Sequence, residues 1–366
     1  MTVGRSATGT VWNIQILRFV AAAMVLFGHL NHEVLQRPDL NVAGFRPFEA
    51  VWWPGGVDIF FVISGFIMYH ISADQFGRPG ASRRFMERRL IRLVPPYWAF
   101  TALVLVAMAL FPAQLASNVT SPWHIAASFL FIPAANPSGV VFPVLILGWT
   151  LNFEMLFYVC FAIGLTMPRR IGLAIIAAIL VTLALSGLFG PLDLPFGFWC
   201  SPVVIEFLFG IAIAAVRRRG VRISRGVSWL LVAAGVAALL GLRAMDVPGV
   251  DFRWRFLWAG APALLLCAGL ALVREAPEPG RIKRLLVFGG DMSFALYLSH
   301  PFTLTLLAML MTRGGIRDPW LYIAISFVVC LIAAGLVYVG LERPGYRWLT
   351  RFYHRPRNST TRQGAT

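Results

Sequence analysis

Residues 12–32 read WNIQILRFVAAAMVLFGHLNH, an apolar run of membrane-spanning length with a cation, Arg18, near one end and a titratable ring, His29, near the other. An α-helix turns about 100° per residue, so the eleven positions from Arg18 to His29 make three turns plus roughly 20°. Both side chains therefore share one face, about 16 Å apart along the axis, around half of a bilayer's hydrocarbon core. Two such groups on a membrane helix are costly unless they line a polar cavity. The alternative is that Arg18 reaches along the helix to a headgroup while His29 caps the outer end.

The rest of the chain is built for the same solvent. Of its 366 residues 58% are apolar and 13% are charged, where a soluble domain carries about 25% charge; mean hydropathy is +0.73. Apolar runs of spanning length recur near 12–32, 52–71, 93–112, 143–166, 171–189, 198–216, 227–243, 254–273, 288–311 and 319–340, which predicts an all-α polytopic membrane protein with about ten transmembrane helices. The stretch Trp123–Pro133 is too short to span and reads as re-entrant or interfacial. With ten spans and a cytoplasmic N-terminus, both termini are cytoplasmic and most of the 32 Lys and Arg residues fall on the inner face, as the positive-inside rule requires. Arg83, Arg84, Arg88, Arg89 and Arg92 crowd one inner loop, Arg217, Arg218, Arg219, Arg222 and Arg225 another, and the tail from Arg343 to Arg362 is a third. Such clusters set topology and meet anionic lipid, so the net charge of +16 does not argue for nucleic acid.

Cys160, Cys200, Cys267 and Cys330 all fall inside spans, without the CxxC spacing of a metal site, so neither disulfides nor zinc are indicated. The first span has no small-residue cleavage site behind a short apolar core and is expected to be retained. Two sequons, Asn118–Thr120 and Asn358–Thr360, are short enough to arise by chance. No stretch is long enough for a separate soluble domain, so any chemistry belongs to the bundle and its loops.

The remaining charges inside spans are Asp58, Glu154, Glu206 and His300, with His70 and Asp291 nearer the ends. Each alone could be a packing hydrogen bond; together they predict a shared polar cavity. If span one runs outward and span two inward, His29 and Asp58 lie at similar depth, and a carboxylate on the imidazole would fix its tautomer and make it a general base. Ser64 and Gly65, which follow Asp58, read as packing residues. Glu154 sits mid-membrane with Tyr158 one turn on along the same face. Tyr297, Ser299 and His300 share a depth, and Pro301 frees a backbone carbonyl that a cavity or substrate could use. At the inner mouth of span three, Arg89 and Arg92 stand at i, i+3 on one helix face, a fork for phosphates or a simple topology anchor.

Six pieces in order, Arg18-x10-His29, Gly56-Val57-Asp58-Ile59-Phe60-Phe61-Val62-Ile63-Ser64-Gly65-Phe66, Arg89-x-x-Arg92 with its Pro-Pro-Tyr-Trp, Trp149-Thr-Leu-Asn-Phe-Glu154, Tyr297-Leu-Ser-His300-Pro301 and Glu342-Arg343-Pro344, resemble the acyltransferase-3 family of integral membrane O-acyltransferases. The resemblance spans residues 10–345 and leaves 346–366 as a basic cytoplasmic tail. It implies transfer of an acyl group, acetyl first among the candidates, from acyl-CoA to a hydroxyl of a glycan or lipid-linked sugar, without a metal or a permanently bound cofactor, in the inner membrane of a bacterium. By the resemblance His29 is the catalytic histidine, Arg18 belongs to the same signature, and Arg89 and Arg92 contact the CoA donor. Some members carry an extracytoplasmic SGNH-like domain after the last span; none follows here, which leans toward the short members that modify exopolysaccharide, capsule, lipopolysaccharide or lipochitooligosaccharide. Residues and resemblance together give a mechanism in which His29, oriented by Asp58, takes the acceptor's proton, directly or through an acyl-His29 intermediate. Glu154, Tyr297 and His300 are expected to bind the sugar or stabilise charge. Two other classes remain, a proton-coupled carrier or flippase, against which the lack of an internal repeat counts, and a scaffold in which His29 and Arg18 would be dispensable.

Overall fold

The computed structural model describes residues 9–37, 39–40, 45–48, 51–111, 119–190, 192–245, 253–275 and 279–353. Asn118 and Asn358 of the two sequons, and residues 354–366 of the tail, lie outside the described residues. The described chain is helical, with no strand and one isolated bridge between Ile223 and Val273.

In order the helices are α1 (Trp12–Gln36), α2 (Gly55–Ser72), α3 (Ala81–Leu110), α4 (Pro122–Phe129), α5 (Gly148–Leu165), α6 (Arg169–Phe189), α7 (Phe196–Trp199), α8 (Ile205–Arg218), α9 (Arg225–Ala244), α10 (Arg255–Trp258), α11 (Gly260–Leu272), α12 (Arg281–Asp291), α13 (Ser293–Arg313), α14 (Pro319–Val337) and α15 (Arg343–Tyr353). Among the described residues nine segments are helical, long and apolar enough to cross a membrane. The protein is thus an all-α, multi-pass membrane protein.

The sixth expected span, 198–216, is divided. Pro202 has no N–H to give a helix and drives the residue before it to an extended conformation; Ser201 accordingly has ψ 132° and accepts from Val203 N, and only the 14 residues of α8 form regular helix after a short 3-10 turn, Pro202–Val204. The expected span 288–311 is also divided, at Met292, into the amphipathic α12 and the apolar α13. Beyond α14 five residues, Tyr338–Glu342, wind as a π-helix before α15, so helix continues past residue 345 to Tyr353. The short segment at 123–133 forms α4, capped by the Ser121 side chain and pinned to α3 by Tyr97 Oη to Ser128 O (3.1 Å) and Trp98 Nε1 to Phe129 O (2.8 Å).

Helix α2 is the hub. Fully 83% of it is buried against 22% for α6 and α9, so its sequence is apolar or small on every side, and lipid is left to the outer helices. Helix α8 packs along it at backbone distance: a Cβ on Gly65 would lie 2.0 Å from Phe207 O, and one on Gly210 would lie 1.9 Å from Val62 O. Two cores result, a larger one around α2, α5, α8 and α11 and a smaller one among α1, α13 and α14. Helix α1 gives Leu17, Ala21 and Val25 to the first and Ala22, Leu26 and Leu30 to the second; α13 divides likewise, and Phe60 touches both. The seam between the cores is where polar groups collect.

One ion pair ties α2 to α10. Arg255 Nε and Nη2 donate to Asp58 Oδ1 (2.8 Å) and Oδ2 (2.7 Å), Nη2 also reaches Pro54 O (3.1 Å), and the guanidinium lies 5.0 Å from the Trp52 ring centroid. Asp58 is 0% and Arg255 2% exposed. Fork-on-carboxylate geometry satisfies both charges without water, whereas removing one partner strands the other at a cost of about 3–5 kcal/mol. Asp58→Ala should therefore lower the melting temperature in detergent sharply, and Asp58→Leu combined with Arg255→Met should recover most of it; equal melting of wild type and Asp58→Ala would remove this pair from the scaffold. A Gly65→Leu chain should fail to reach the monodisperse folded state on size exclusion.

Candidate active site

A cavity with about 120 Å³ open to the centres of water-sized molecules lies at the seam, walled by α1, α2, α3, α5 and α13. Its polar lining is Arg18, Ser64, Arg89, Arg92, Thr150, Glu154, Tyr158, Ser293 and Tyr297. Each comes from a helix whose other side is packed in a core, so each is aimed by burial of its neighbours rather than by a loop.

The cationic end is formed by three arginines from two helices. Arg18 Nη1 donates to Gln15 Oε1 (2.9 Å), and the charges around its guanidinium are Arg92, Asp291, Glu342 and Glu154. Arg89 lies 5.8 Å from the Phe85 centroid, and its Nε is buried without a hydrogen-bond partner among the described residues. Arg89 and Arg92 share the cavity-facing side of α3, as i, i+3 spacing requires. Three guanidinium groups around one space suit a polyanionic ligand.

Glu154 is the organising acceptor in the middle. Its Oε1 accepts from Ser64 Oγ (3.1 Å) and from Tyr158 Oη (2.5 Å). Ser64 thus does more than permit close packing: it joins α2 to the carboxylate on α5. Tyr297 crosses the cavity to α5, where its hydroxyl donates to Leu147 O (2.9 Å) and meets Thr150 Oγ1 (2.8 Å). Those bonds occupy the hydroxyl, so Tyr297 serves as wall and strut between α13 and α5.

Past Tyr297 lie the two histidines. The His300 ring is 6.3 Å from that of Tyr297 and 4.9 Å from that of His29, centroid to centroid. His29 Nδ1 is 2.8 Å from Val25 O and His300 Nδ1 is 3.0 Å from Leu296 O. A carbonyl oxygen can only accept, so each Nδ1 carries the proton in that contact and each Nε2 presents its lone pair. Pro301 cannot donate to Tyr297 O, and the carbonyl it frees faces the His300 ring. His300 is 1% exposed and its Nε2 has no partner among the described residues, while His29 is only half-buried. His29 therefore offers an accessible basic nitrogen, and His300 a buried one beside it.

Of the residues singled out from sequence, Arg18, Arg89, Arg92, Glu154 and Tyr297 come together around the cavity, and His29 and His300 form a second cluster one turn beyond Tyr297. Asp58 belongs to neither. Both of its oxygens are held by Arg255, so the expected Asp58–His29 pair is replaced by two separate arrangements: the Val25 carbonyl orients His29, and Asp58 fastens α2 to α10. Depth alone suggested the pairing, and depth does not fix which side of a helix faces which neighbour. Sequence reasoning missed Arg255, although an arginine at the start of an apolar run is the same signal that marked Arg18. It placed Glu206 in a span without a partner; the residue is 0% exposed, faces Asp58 and Arg255, and has neither carboxylate oxygen hydrogen-bonded among the described residues. No group of three or more His, Cys, Asp or Glu side chains among the described residues could hold a metal ion.

The chain is similar to several named proteins. It is 37% identical over 292 residues to the exopolysaccharide production protein ExoZ of Rhizobium meliloti, covering 79% of this chain and 88% of that one. It is 25% identical over 374 residues to Nodulation protein 10 of Rhizobium leguminosarum bv. viciae, covering 92% and 94%. To the peptidoglycan O-acetyltransferase OatA of Listeria monocytogenes it is 22% identical over 327 residues, covering 80% of this chain and 51% of that one. No solved structure matches. A family model described as an acyltransferase domain matches residues 11–339, which takes in the cavity, both histidines and every helix from α1 to α14. The chain belongs to the acyltransferase-3 family and is a multi-pass membrane acyltransferase.

Proposed function

We propose that this acyltransferase moves an acyl group, acetyl in the simplest case, from acyl-CoA to a hydroxyl of a cell-envelope or exported glycan, with His29 as the catalytic base. The single observation that carries the reading is the state of His29: its Nδ1–H is given to Val25 O, so Nε2 is free to accept a proton, and the ring lies beside His300, one turn of α13 beyond Tyr297, which lines the cavity that Arg18, Arg89 and Arg92 also line. The names of ExoZ and OatA, an exopolysaccharide production protein and a peptidoglycan O-acetyltransferase, support a glycan as acceptor. The arginine-rich loops at the cavity's cationic end support a cytoplasmic donor side and cytoplasmic termini, in a bacterial inner membrane.

Donor phosphates bind Arg89 and Arg92, and the thioester arm runs up the cavity past Tyr297 to the histidines. The acceptor hydroxyl gives its proton to His29 Nε2 as its oxygen attacks the thioester carbonyl. Collapse of the tetrahedral centre breaks the C–S bond, and the His29 imidazolium returns the proton to the departing CoA thiolate. The products are the ester and free CoA, with no net change on the protein. The His300 ring, 4.9 Å away, keeps the neighbourhood of His29 polar.

His29→Ala should reduce transfer from radiolabelled acetyl-CoA to a crude glycan acceptor by about two orders of magnitude or more, with the melting temperature held; an active variant would end His29's assignment. Arg89→Ala and Arg92→Ala should raise KM for acetyl-CoA by roughly tenfold, the weight of a charge-assisted hydrogen bond, and leave KM for S-acetylpantetheine, which lacks the nucleotide phosphates, unaltered. Equal losses on both donors would place the phosphates elsewhere.

A further inference from the structure

Helix α13, like α1, runs from the cavity to the histidines. Ser293 and Phe294 line the cavity at its cationic end, Tyr297 lines it one turn on, and His300 stands one turn beyond that. Ser293 is 1% exposed, yet its Oγ has no hydrogen-bond partner among the described residues and the residue faces the cavity. A hydroxyl buried without a partner is destabilising, and a bound group that pairs with it would remove that cost. Ser293 is also the first residue of α13, where backbone N–H groups lack intrahelical partners. Two independent features therefore make this end of the helix a place for a polar ligand group.

The chemistry of that group follows from its surroundings. A helix start with free N–H groups favours an anion, but here the Glu342 carboxylate already faces the Ala295 N–H at the same end, and Asp291 lies close by. A second anion would meet that negative charge, whereas a neutral group carrying a donor and an acceptor would not. An amide is such a group, and a serine hydroxyl can both give and take a hydrogen bond. Position sharpens the choice. Seven residues of helix, Ser293 to His300, rise about 10 Å. In acyl-CoA two amides follow the thioester sulfur, and the more distant one begins seven bonds away, which in an extended zigzag of ordinary bond lengths comes to roughly 9–10 Å. With the thioester at the histidines, that second amide lies level with Ser293.

We infer that Ser293, at the start of α13, hydrogen-bonds the amide of the donor's pantetheine arm farther from the sulfur, and so sets the depth to which the thioester reaches. The inference rests on acyl-CoA being the donor. It assigns Ser293 to donor binding and makes α13 a ruler whose two marks are Ser293 and His300.

Three thioesters test it: acetyl-CoA, S-acetylpantetheine, which keeps both amides but no nucleotide, and S-acetyl-N-acetylcysteamine, which keeps only the amide next to the sulfur. Ser293→Ala should raise KM about three- to tenfold, the weight of one hydrogen bond, for the first two donors and leave the third where wild type has it. Ser293→Thr, which restores the hydroxyl, should return the first two toward wild type. A Ser293→Ala effect equal on all three donors would make Ser293 structural, and no effect on any would remove it from the donor site; either overturns the inference while leaving the acyl-CoA reading intact. A folded wild type that turns over none of the three would overturn the donor reading and this inference with it.

Discussion

The cost of placing a charge or an unpaired polar group among apolar side chains governs the whole molecule. Lipid-facing helices avoid the cost by carrying few polar groups, and the inner helices meet it in three ways. Asp58 and Arg255 cancel each other in a dry, two-pronged contact. Glu154 gathers two hydroxyls, from Ser64 and Tyr158. His29 and His300 turn one nitrogen to a backbone carbonyl of their own helix. What these arrangements leave without a hydrogen-bond partner among the described residues, Arg89 Nε, the Ser293 hydroxyl and His300 Nε2, lies along the seam between two cores. A protein that needed only to stay folded would have no use for such groups there; an enzyme that must hold a charged donor and remove a proton has use for all of them.

Division of labour follows from packing. Helix α2 is central and carries no titratable group into the cavity, only Ser64; its own charge, Asp58, is spent on fixing α10. The chemistry is left to α1 and α13, the two helices that belong to both cores. A helix held on two sides cannot roll, so the faces bearing Arg18 with His29 and Ser293 with His300 keep their alignment. The π-helical turn after α14 brings Glu342 to the start of α13 and the cationic end of the cavity, a placement that an uninterrupted α-helix would alter by roughly a quarter of a turn.

Much of this was legible before any coordinates. Arg18 and His29 share a face because α1 runs unbroken from Trp12 to Gln36, and Tyr158 meets Glu154 because four residues make one turn. These are local consequences of helix geometry. The partner of Asp58 was not legible: Arg255 lies 197 residues away, and no local spacing carries that information. His29 seemed to need a carboxylate, yet the oxygen four residues behind it serves, an option open to every helical histidine and therefore silent in the sequence. The divided span at 198–216 was foreshadowed by Ser201-Pro202, but an apolar average over twenty residues hides one proline. The chain's membership in an acyltransferase family settled the class of chemistry, which buried charges alone had left shared with carriers.

The most direct measurement is a structure of the protein in detergent or nanodiscs with a hydrolysis-resistant acetyl-CoA analogue bound. The expected result places the nucleotide phosphates on Arg89 and Arg92 and the carbonyl carbon at the histidines, with room for an acceptor oxygen about 3 Å from both that carbon and His29 Nε2. Phosphates bound away from the three arginines, or an acyl carbon separated from His29 by the Tyr297 wall, would contradict the central claim that this cavity delivers a thioester to His29.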